Sequence, residues 1–440
     1  MLRSDMPRGT RVFLPEMAAK KRRLEELLLS VFFRWGFQEV VLPTFEYMDV
    51  LAVGLGDAYT ERLFKFEERR TGRMLALRPD ITTQIARVAA TLLQDEPRPL
   101  RFCYVGNIFR YNDSQTRNLQ EVSQTGLELI GLGSPEADAE MIAIAVECMQ
   151  VIGLRDFRIA VSQLEFFRSI LAETGLNPQQ REQLQAALQK KDTSTLETLV
   201  EAFPLTNHYR QVLLQIPGLF GKVEVLHKAA NLTQSRAALA ALDNLARVYD
   251  VVTTYGLEDH VLIDLSDIRD FHYYTGVTFE GFTSHLGYEI CSGGRYNHLL
   301  GYYGTDDPST GFAIDLHALL EALENSNPLQ ARTGADCLLM DFRQDKRDAL
   351  RISSALRRLG HRVARDIITR DLPGSLDYAR RTGIRYGLLM GLAPLTDDEA
   401  ILYDVMAGTE EPLAMAAVIA HVDTVLTRAR HTANDERDAG

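Results

Sequence analysis

The sequence predicts an α+β fold: one antiparallel sheet flanked by helices, followed by a small α/β domain. Three observations lead there. The runs "LRFCYVGNIFRYN" (100–112) and "LQEVSQTGLELIG" (119–131) read as adjacent antiparallel strands joined by a polar loop. Strand-like runs resume only after 258, so a helix-rich stretch is inserted between two halves of a single sheet. Beyond 335, strand and helix alternate, the pattern of a small α/β domain.

Taken in order, residues 16–34 place Leu24, Leu27, Leu28, Val31 and Phe32 on one stripe with charge opposite, which predicts an amphipathic helix ended by Gly36. "FQEVVLPTFE" (37–46) reads as a strand interrupted by Pro43. Proline cannot donate to a ladder, so Pro43 belongs at a sheet edge or a subunit contact. "LFKFEERRTGRMLALRP" (63–79) reads as two strands around a turn at Thr71-Gly72, closing into the helix "DITTQIARVAATLL" with Asp80 near its cap. "SPEADAEMIAIAVECMQVIGL" (134–154) opens with a capping-type Ser-Pro-Glu and continues as helix.

The insertion, at about 165–258, is Gln- and Leu-rich, with breaks at "GLNP" (175–178) and "FPL" (203–205). The sheet resumes with "HVLIDLSDI" (260–268), "YYTGVTFEGFTS" (273–284) and "YEICSGGRYNHLL" (288–300). "TGFAIDLHAL" (310–319) reads as a small-residue strand entering a helix that Asp315 caps. These boundaries give a first domain at 1–325, a linker by composition, a small α/β domain at 335–425, and a polar tail at 427–440 expected to fray.

Composition excludes several classes. At 440 residues, 46% hydrophobic and 25% charged, the chain has the make-up of a globular protein of about two or three domains. No apolar run approaches the roughly 20 residues that span a bilayer, so no membrane partner is expected. The N-terminus lacks an apolar h-region, and Cys103, Cys148, Cys291 and Cys337 are scattered without CxxC spacing. Together these predict a cytoplasmic location with reduced thiols. A formal charge of −12 argues against a nucleic-acid partner. No metal-ligand spacing, nucleophile elbow or phosphate-binding glycine loop occurs, so neither metal nor cofactor is expected.

The chemistry-bearing residues lie at strand ends. Arg78-Pro79-Asp80, Arg110, Arg117, Gln124, Glu128, Arg269, Tyr273, Tyr274, Arg295 and Tyr296 fall on or beside strands of one sheet. Gln124 and Glu128, four apart on a strand, share a face. A charge on a face that also carries Phe and Ile is costly unless paired. Any one of these residues fits a solvated sheet face, and "SGGRYN" alone fits a tight turn or bulge. Together they describe a concave polar pocket for a small zwitterion or anion.

In order, "PRGTRVFLPE" (7–16), "GFQEVVLPTFE" (36–46), "LRPDITTQIAR" (77–87), "FRYNDSQTRNLQEVSQTGLELIG" (109–131), "IRDFHYYTGVTFE" (268–280), "SGGRYNHL" (292–299) and "TGFAIDL" (310–316) resemble the motifs of histidyl-tRNA synthetases, from about Pro7 to Val422. The resemblance implies a class II aminoacyl-tRNA synthetase-like antiparallel sheet, dimerising through the segment around Pro43, with a C-terminal domain like the anticodon-binding one. The chain departs from those enzymes in three places. The synthetases carry an arginine for the nucleotide triphosphate in the helix after "GFAI", where this chain has Asp315, His317 and Ala318 and no Arg or Lys before Gln330. "LRPDIT" stands where they usually have "LRPEGT", and "RDFHYYTGVTFEG" lacks their Gly-Leu-Asp. In both segments the chain is more similar to the regulatory subunits of ATP phosphoribosyltransferase, a synthetase paralogue serving histidine biosynthesis.

That resemblance implies a subunit with no catalytic residues, cofactor or metal of its own. It would pair with a short-form catalytic subunit in a hetero-octamer and convey feedback by L-histidine. The implied histidine site is Asp80, Thr82, Arg110, Gln124, Glu128, Arg269, Tyr273, Tyr274 and Tyr296. Gln124 and Glu128 would face the amino or imidazole groups and Arg269 the carboxylate, with Tyr274 and Tyr296 as walls. Asp80 stands for the family's glutamate, one methylene shorter. A divergent histidyl-tRNA synthetase is the alternative, kept open by the substantial C-terminal domain; Arg110 and Arg117 match the synthetases' two arginines of this region, but retaining them is not evidence of catalysis.

Overall fold

The computed structural model of the chain describes residues 5–55, 60–111, 119–268, 273–330, 333–368 and 370–438. The chain divides into two compact units, Met1–Gln330 and Ala331–Gly440.

The first unit is organised by a nine-stranded sheet. Across it run β1 (Gln38–Glu39), β5 (Leu100–Phe109), β6 (Glu121–Ile130), β12 (Ser309–Asp315), β11 (Cys291–Arg295), β10 (Val277–Phe282), β7 (Arg158–Gln163), β9 (Val261–Asp264) and β8 (Phe220–Gly221). From β5 through β7 every neighbour is antiparallel; β1 joins β5 and β9 joins β7 in parallel. A separate three-stranded sheet holds β2 (Phe45–Tyr47), β4 (Met74–Leu77) and β3 (Lys65–Glu67).

Period-two alternation sorts the two faces of the large sheet. Leu127 and Leu129 of β6, with Phe312 and Ile314 of β12, join one core with the helices α1 (Pro15–Arg34), α4 (Pro135–Val151) and α11 (Leu316–Ser326). Helix α1 contributes Leu24, Leu28, Val31 and Phe32, each with no exposed surface, so the stripe seen in the sequence is the packed face. The alternate residues of β6, Gln124, Gly126 and Glu128, look the other way. On that side Ile81, Ile85 and Ala89, which precede or belong to α3 (Thr82–Thr91), pack with Tyr104, Ile108, Tyr274 and Tyr296. Helix α2 (Met48–Leu55) rests beside β4, with Leu51 and Ala76 in one small cluster.

Between β7 and β9 the chain forms α5 (Leu164–Glu173), α6 (Pro178–Gln189), α7 (Thr193–Ala202), α8 (Asn207–Gln215), α9 (Glu224–Asn231) and α10 (Arg236–Thr254). Their starts are set by local side-chain acceptors. Asn177 and Gln180 form a reciprocal capping box on α6, and Asp192, Thr206 and Ser235 cap the later helices.

The second unit holds a five-stranded sheet of β14 (Val363–Arg365), β13 (Cys337–Asp341), β15 (Tyr386–Met390), β16 (Glu399–Asp404) and β17 (Thr409–Ala414). β13 pairs in parallel with β14 and β15 through α12 (Arg347–Arg358) and α13 (Leu372–Arg381), which is the predicted alternation. The antiparallel β16–β17 hairpin was not anticipated.

Two further readings change. Residues 37–46 are not one interrupted strand: β1 joins the large sheet and β2 the small one, with Pro43 between them. The Pro43 carbonyl, turned inward, accepts from Gln84 Nε2 at 3.0 Å. The tail from 427 is helical through Asp438 as the end of α14 (Val418–Asp438). "TRARHTANDERD" holds neither Gly nor Pro, so no residue stops the helix. Among the described residues no helix is long and apolar enough to cross a membrane.

Candidate functional site

A cavity of about 630 Å³ lies against the face of the large sheet that carries Gln124 and Glu128. Sheet register explains the depth at which Glu128 sits. On β6 it is flanked by Phe102 of β5 and Gly311 of β12, while Gln124 is flanked by Gly106 and Asp315. A β-carbon at Gly311 would lie 1.8 Å from Glu128 Oε2, so only glycine lets the carboxyl occupy this position. A β-carbon at Gly126 would lie 2.5 Å from the Tyr104 hydroxyl oxygen, so a second glycine admits that ring beneath the cavity.

Glu128 is 1% exposed. Thr82 Oγ1 donates to its Oε1 at 2.6 Å, and the Tyr296 hydroxyl donates to Oε2. Burial pushes the Glu128 carboxyl up to about 8; the bonds from Thr82 and Tyr296 lower it, and the charge of Asp80 raises it further. The Tyr296 and Tyr104 hydroxyls are driven well above the ordinary tyrosine range, first by burial and then by the Glu128 carboxyl. Asp80 is likewise buried; the Tyr273 hydroxyl donates to its Oδ2 at 3.0 Å and the Thr83 amide to its Oδ1 at 3.2 Å. The floor is therefore two carboxyls held by three hydroxyls. It can receive a cationic group.

At another part of the cavity Arg110 donates from Nε to the Pro79 carbonyl at 2.6 Å, and Gln124 lies half-buried on β6. Of the residues implied by the resemblance, Asp80, Thr82, Arg110 and Gln124 thus line one cavity, as do Glu128, Tyr273, Tyr274 and Tyr296. Arg269 and Arg117 lie outside the described residues. Two arginines grouped with the site in the sequence serve elsewhere. Arg78 is buried, with Nε on the Asn107 carbonyl at 2.7 Å and Nη1 on the Leu42 carbonyl at 3.0 Å. Arg295 is buried against Asp138 at 2.9 Å and the carbonyls of Leu132 and Ser134. Both tie loops to strand ends, away from the lining.

Sequence reasoning missed Tyr104, Asp267, Glu280 and Gln189, which also line the cavity. Tyr104 shares strand parity with Phe102 and Ile108, a signal that was available. For Gln189, at the end of a helix in the insertion, no local pattern could have indicated it.

The start of α11 closes one wall. Asp315 accepts from the amides of His317 at 2.8 Å and Ala318 at 3.0 Å, so its carboxylate neutralises the helix N-terminus itself. Ala318 has no exposed surface, and the His317 ring meets Phe13 edge-on with centroids 5.2 Å apart. The first turn of α11 thus presents an acid and two packed groups, and neither arginine nor lysine.

The histidyl-tRNA synthetase family profile matches residues 9–319. An ATP phosphoribosyltransferase regulatory subunit from Geobacter metallireducens is 42% identical over 92% of this chain and 93% of its own. A solved structure from Bacillus halodurans, described as an ATP phosphoribosyltransferase regulatory subunit/histidyl-tRNA synthetase, superposes with a TM-score of 0.78 at 28% identity, covering 89% of this chain and all of that one. The histidyl-tRNA synthetase from Nostoc sp. reaches a TM-score of 0.81 at 23% identity over 98% of this chain and all of its own, which shows the shared class II fold.

Proposed function

Since the chain belongs to the histidyl-tRNA synthetase family, among the ATP phosphoribosyltransferase regulatory subunits, we propose that it acts as the non-catalytic regulatory subunit of that enzyme, binding L-histidine in the cavity on its large sheet. Its partner in this reading is the short-form catalytic subunit, in a hetero-octamer, at the first step of histidine biosynthesis in the cytoplasm. Neither nucleic acid nor membrane is a partner.

One observation carries the reading. The acidic floor built from Asp80 and Glu128 is intact, while the helix start beside it offers Asp315 and Ala318 where a triphosphate needs a cation. Loss of one donor to developing charge costs about 10²–10³ in rate, and an acid in its neighbourhood adds repulsion. An amino acid, in contrast, keeps its partners. Its ammonium group suits Asp80 and Glu128, drawing the Glu128 proton off as it binds. Each such charge-assisted bond contributes about 1.5–3 kcal/mol, enough for micromolar to millimolar affinity once association costs are subtracted. Arg110, and Arg269 outside the described residues, are the candidates for the carboxylate. To regulate, histidine must favour one state of the complex over another, since indifferent binding shifts nothing.

Self-association as a dimer is supported by an apolar surface around Pro43. Val41 is 88% exposed and Phe45 50%, with Phe66 and Met74 exposed on the adjoining strands β3 and β4.

ATP–pyrophosphate exchange tests the non-catalytic reading. The purified chain with millimolar ATP and histidine is expected to show background exchange only; exchange above background would make the chain a synthetase.

A further inference from the structure

Two tyrosines that wall the cavity, Tyr273 and Tyr274, stand on a short segment, residues 273–276, that is neither helix nor strand and enters β10 at Val277. Their rings meet edge-on with centroids 5.0 Å apart, and the Tyr273 ring also meets that of Tyr296 at 6.0 Å. The Tyr273 hydroxyl bonds Asp80 and the Tyr296 hydroxyl bonds Glu128, so the conformation of this segment bears on the acidic floor. Lacking a strand ladder, the segment is held by its neighbours. The Thr275 amide donates to the Arg295 carbonyl at 2.8 Å, a tie to β11. Two further ties come from α5, the first helix of the insertion. The Leu164 amide donates to the Gly276 carbonyl at 3.1 Å, and Arg168 Nη1 donates to the Tyr274 carbonyl at 2.7 Å. Leu164 and Arg168 are one turn apart and share a face of the helix. The Leu164 side chain packs in the same cluster as Tyr274 and Tyr296. The Arg168 bond is charge-assisted, the stronger kind of hydrogen bond. Arg168 itself is not among the residues lining the cavity, so it reaches the site only through Tyr274.

We propose that Arg168 is a positioning residue supplied by the insertion: by holding the Tyr274 carbonyl it fixes the Tyr273–Tyr274 wall over the acidic floor, so that the cavity's affinity for an amino acid depends on the docking of α5. This rests on the cavity holding an amino acid. The coupling is reciprocal, because whatever α5 contributes to binding, a bound amino acid returns as tighter docking of α5. The insertion is thereby tied to the occupancy of the cavity through one side chain that touches no ligand.

The test measures L-histidine binding by calorimetry, hydrogen exchange and urea unfolding in the full chain, for the wild type, Arg168→Ala and Arg168→Lys. Arg168→Ala is expected to bind about tenfold more weakly, as follows if the wall is in place about a tenth of the time. Exchange over residues 273–277 should quicken, while exchange across β5 and the unfolding midpoint stay close to the wild type. Lysine still brings a charged donor on a long stem to a single carbonyl, so Arg168→Lys is expected to recover most of the affinity. If Arg168→Ala does not fold, Arg168→Gln takes its place with the same expectations. Wild-type affinity in Arg168→Ala, or weaker binding without faster exchange at 273–277, overturns the proposal and leaves the cavity reading standing. So does weaker binding with faster exchange across β5 as well, which would make Arg168 a residue of general stability. Absence of histidine binding to the wild-type chain overturns both readings.

Discussion

Glu128→Gln should make the first unit more stable than the wild type at pH 8, by an amount that shrinks toward pH 5. The folded chain holds the Glu128 proton up to about 8, against an ordinary value of 4.5 in the unfolded chain, and burial is the main cause. The stability that this proton-bound form contributes is whole below pH 4.5 and is lost as pH rises through about 8. At about 1.36 kcal/mol for each tenfold change in proton affinity, the rise from 4.5 to about 8 amounts to about 5 kcal/mol, an upper bound because water reaches the cavity. Glutamine never ionises, so it escapes that loss. It also keeps the shape: Thr82 Oγ1 can still donate to the amide oxygen, and the amide N–H can donate to the Tyr296 hydroxyl, where two donations now reach the carboxyl. Urea unfolding of both chains at pH 5, 6, 7 and 8, followed through the first unit's transition, reads the difference directly. The gap between the variants should widen by several kcal/mol from pH 5 to 8. A gap that stays constant would refute the reasoning, for then Glu128 titrates at an ordinary value and the cavity floor is not low in dielectric.

Three other outcomes are expected. Gly311→Ala forces a β-carbon to 1.8 Å from Glu128 Oε2, so strand or carboxyl must shift; thermal unfolding should show a loss of about 1–3 kcal/mol, and the heat of histidine binding should fall sharply. Val41→Asp combined with Phe45→Asp, which charges the apolar surface around Pro43, should give a smaller species than the wild type in sedimentation velocity, while an unchanged mass would place self-association elsewhere. Histidine tRNA should form no specific complex at physiological salt in a gel-shift assay, given a formal charge of −12, and sub-micromolar salt-sensitive binding would count against the regulatory reading.

Much of the site could be read from strand parity. The spacing of Gln124 and Glu128 predicted a shared face, and β6 presents them to one cavity while Leu127 and Leu129 turn to the helices. Asp315 was recognised as a helix cap from its place before "LHAL", and it caps α11 as expected. Where reading failed, the deciding partner was distant in the chain. Arg110 and Arg295 both look like strand-borne cations, but Asp138 on α4 claims Arg295 and leaves Arg110 to the cavity. The division of 37–46 between two sheets depends on whether β5 or β4 is the neighbour, which Pro43 signals only as an interruption. Gln189 reaches the cavity through the turn at Lys191 and the contact with Asp264, a tertiary relation without a local signature.

The central claim, that this chain does no chemistry but governs a partner that does, is tested most directly by reconstitution. The rate of phosphoribosyl transfer to ATP is measured for the short-form catalytic subunit alone, with this chain, and with this chain plus L-histidine. The account predicts a complex larger than either subunit, a faster rate with the chain present, inhibition by histidine, and loss of that inhibition with Glu128→Ala. An unchanged rate with no complex, at micromolar concentrations of both chains, would contradict it.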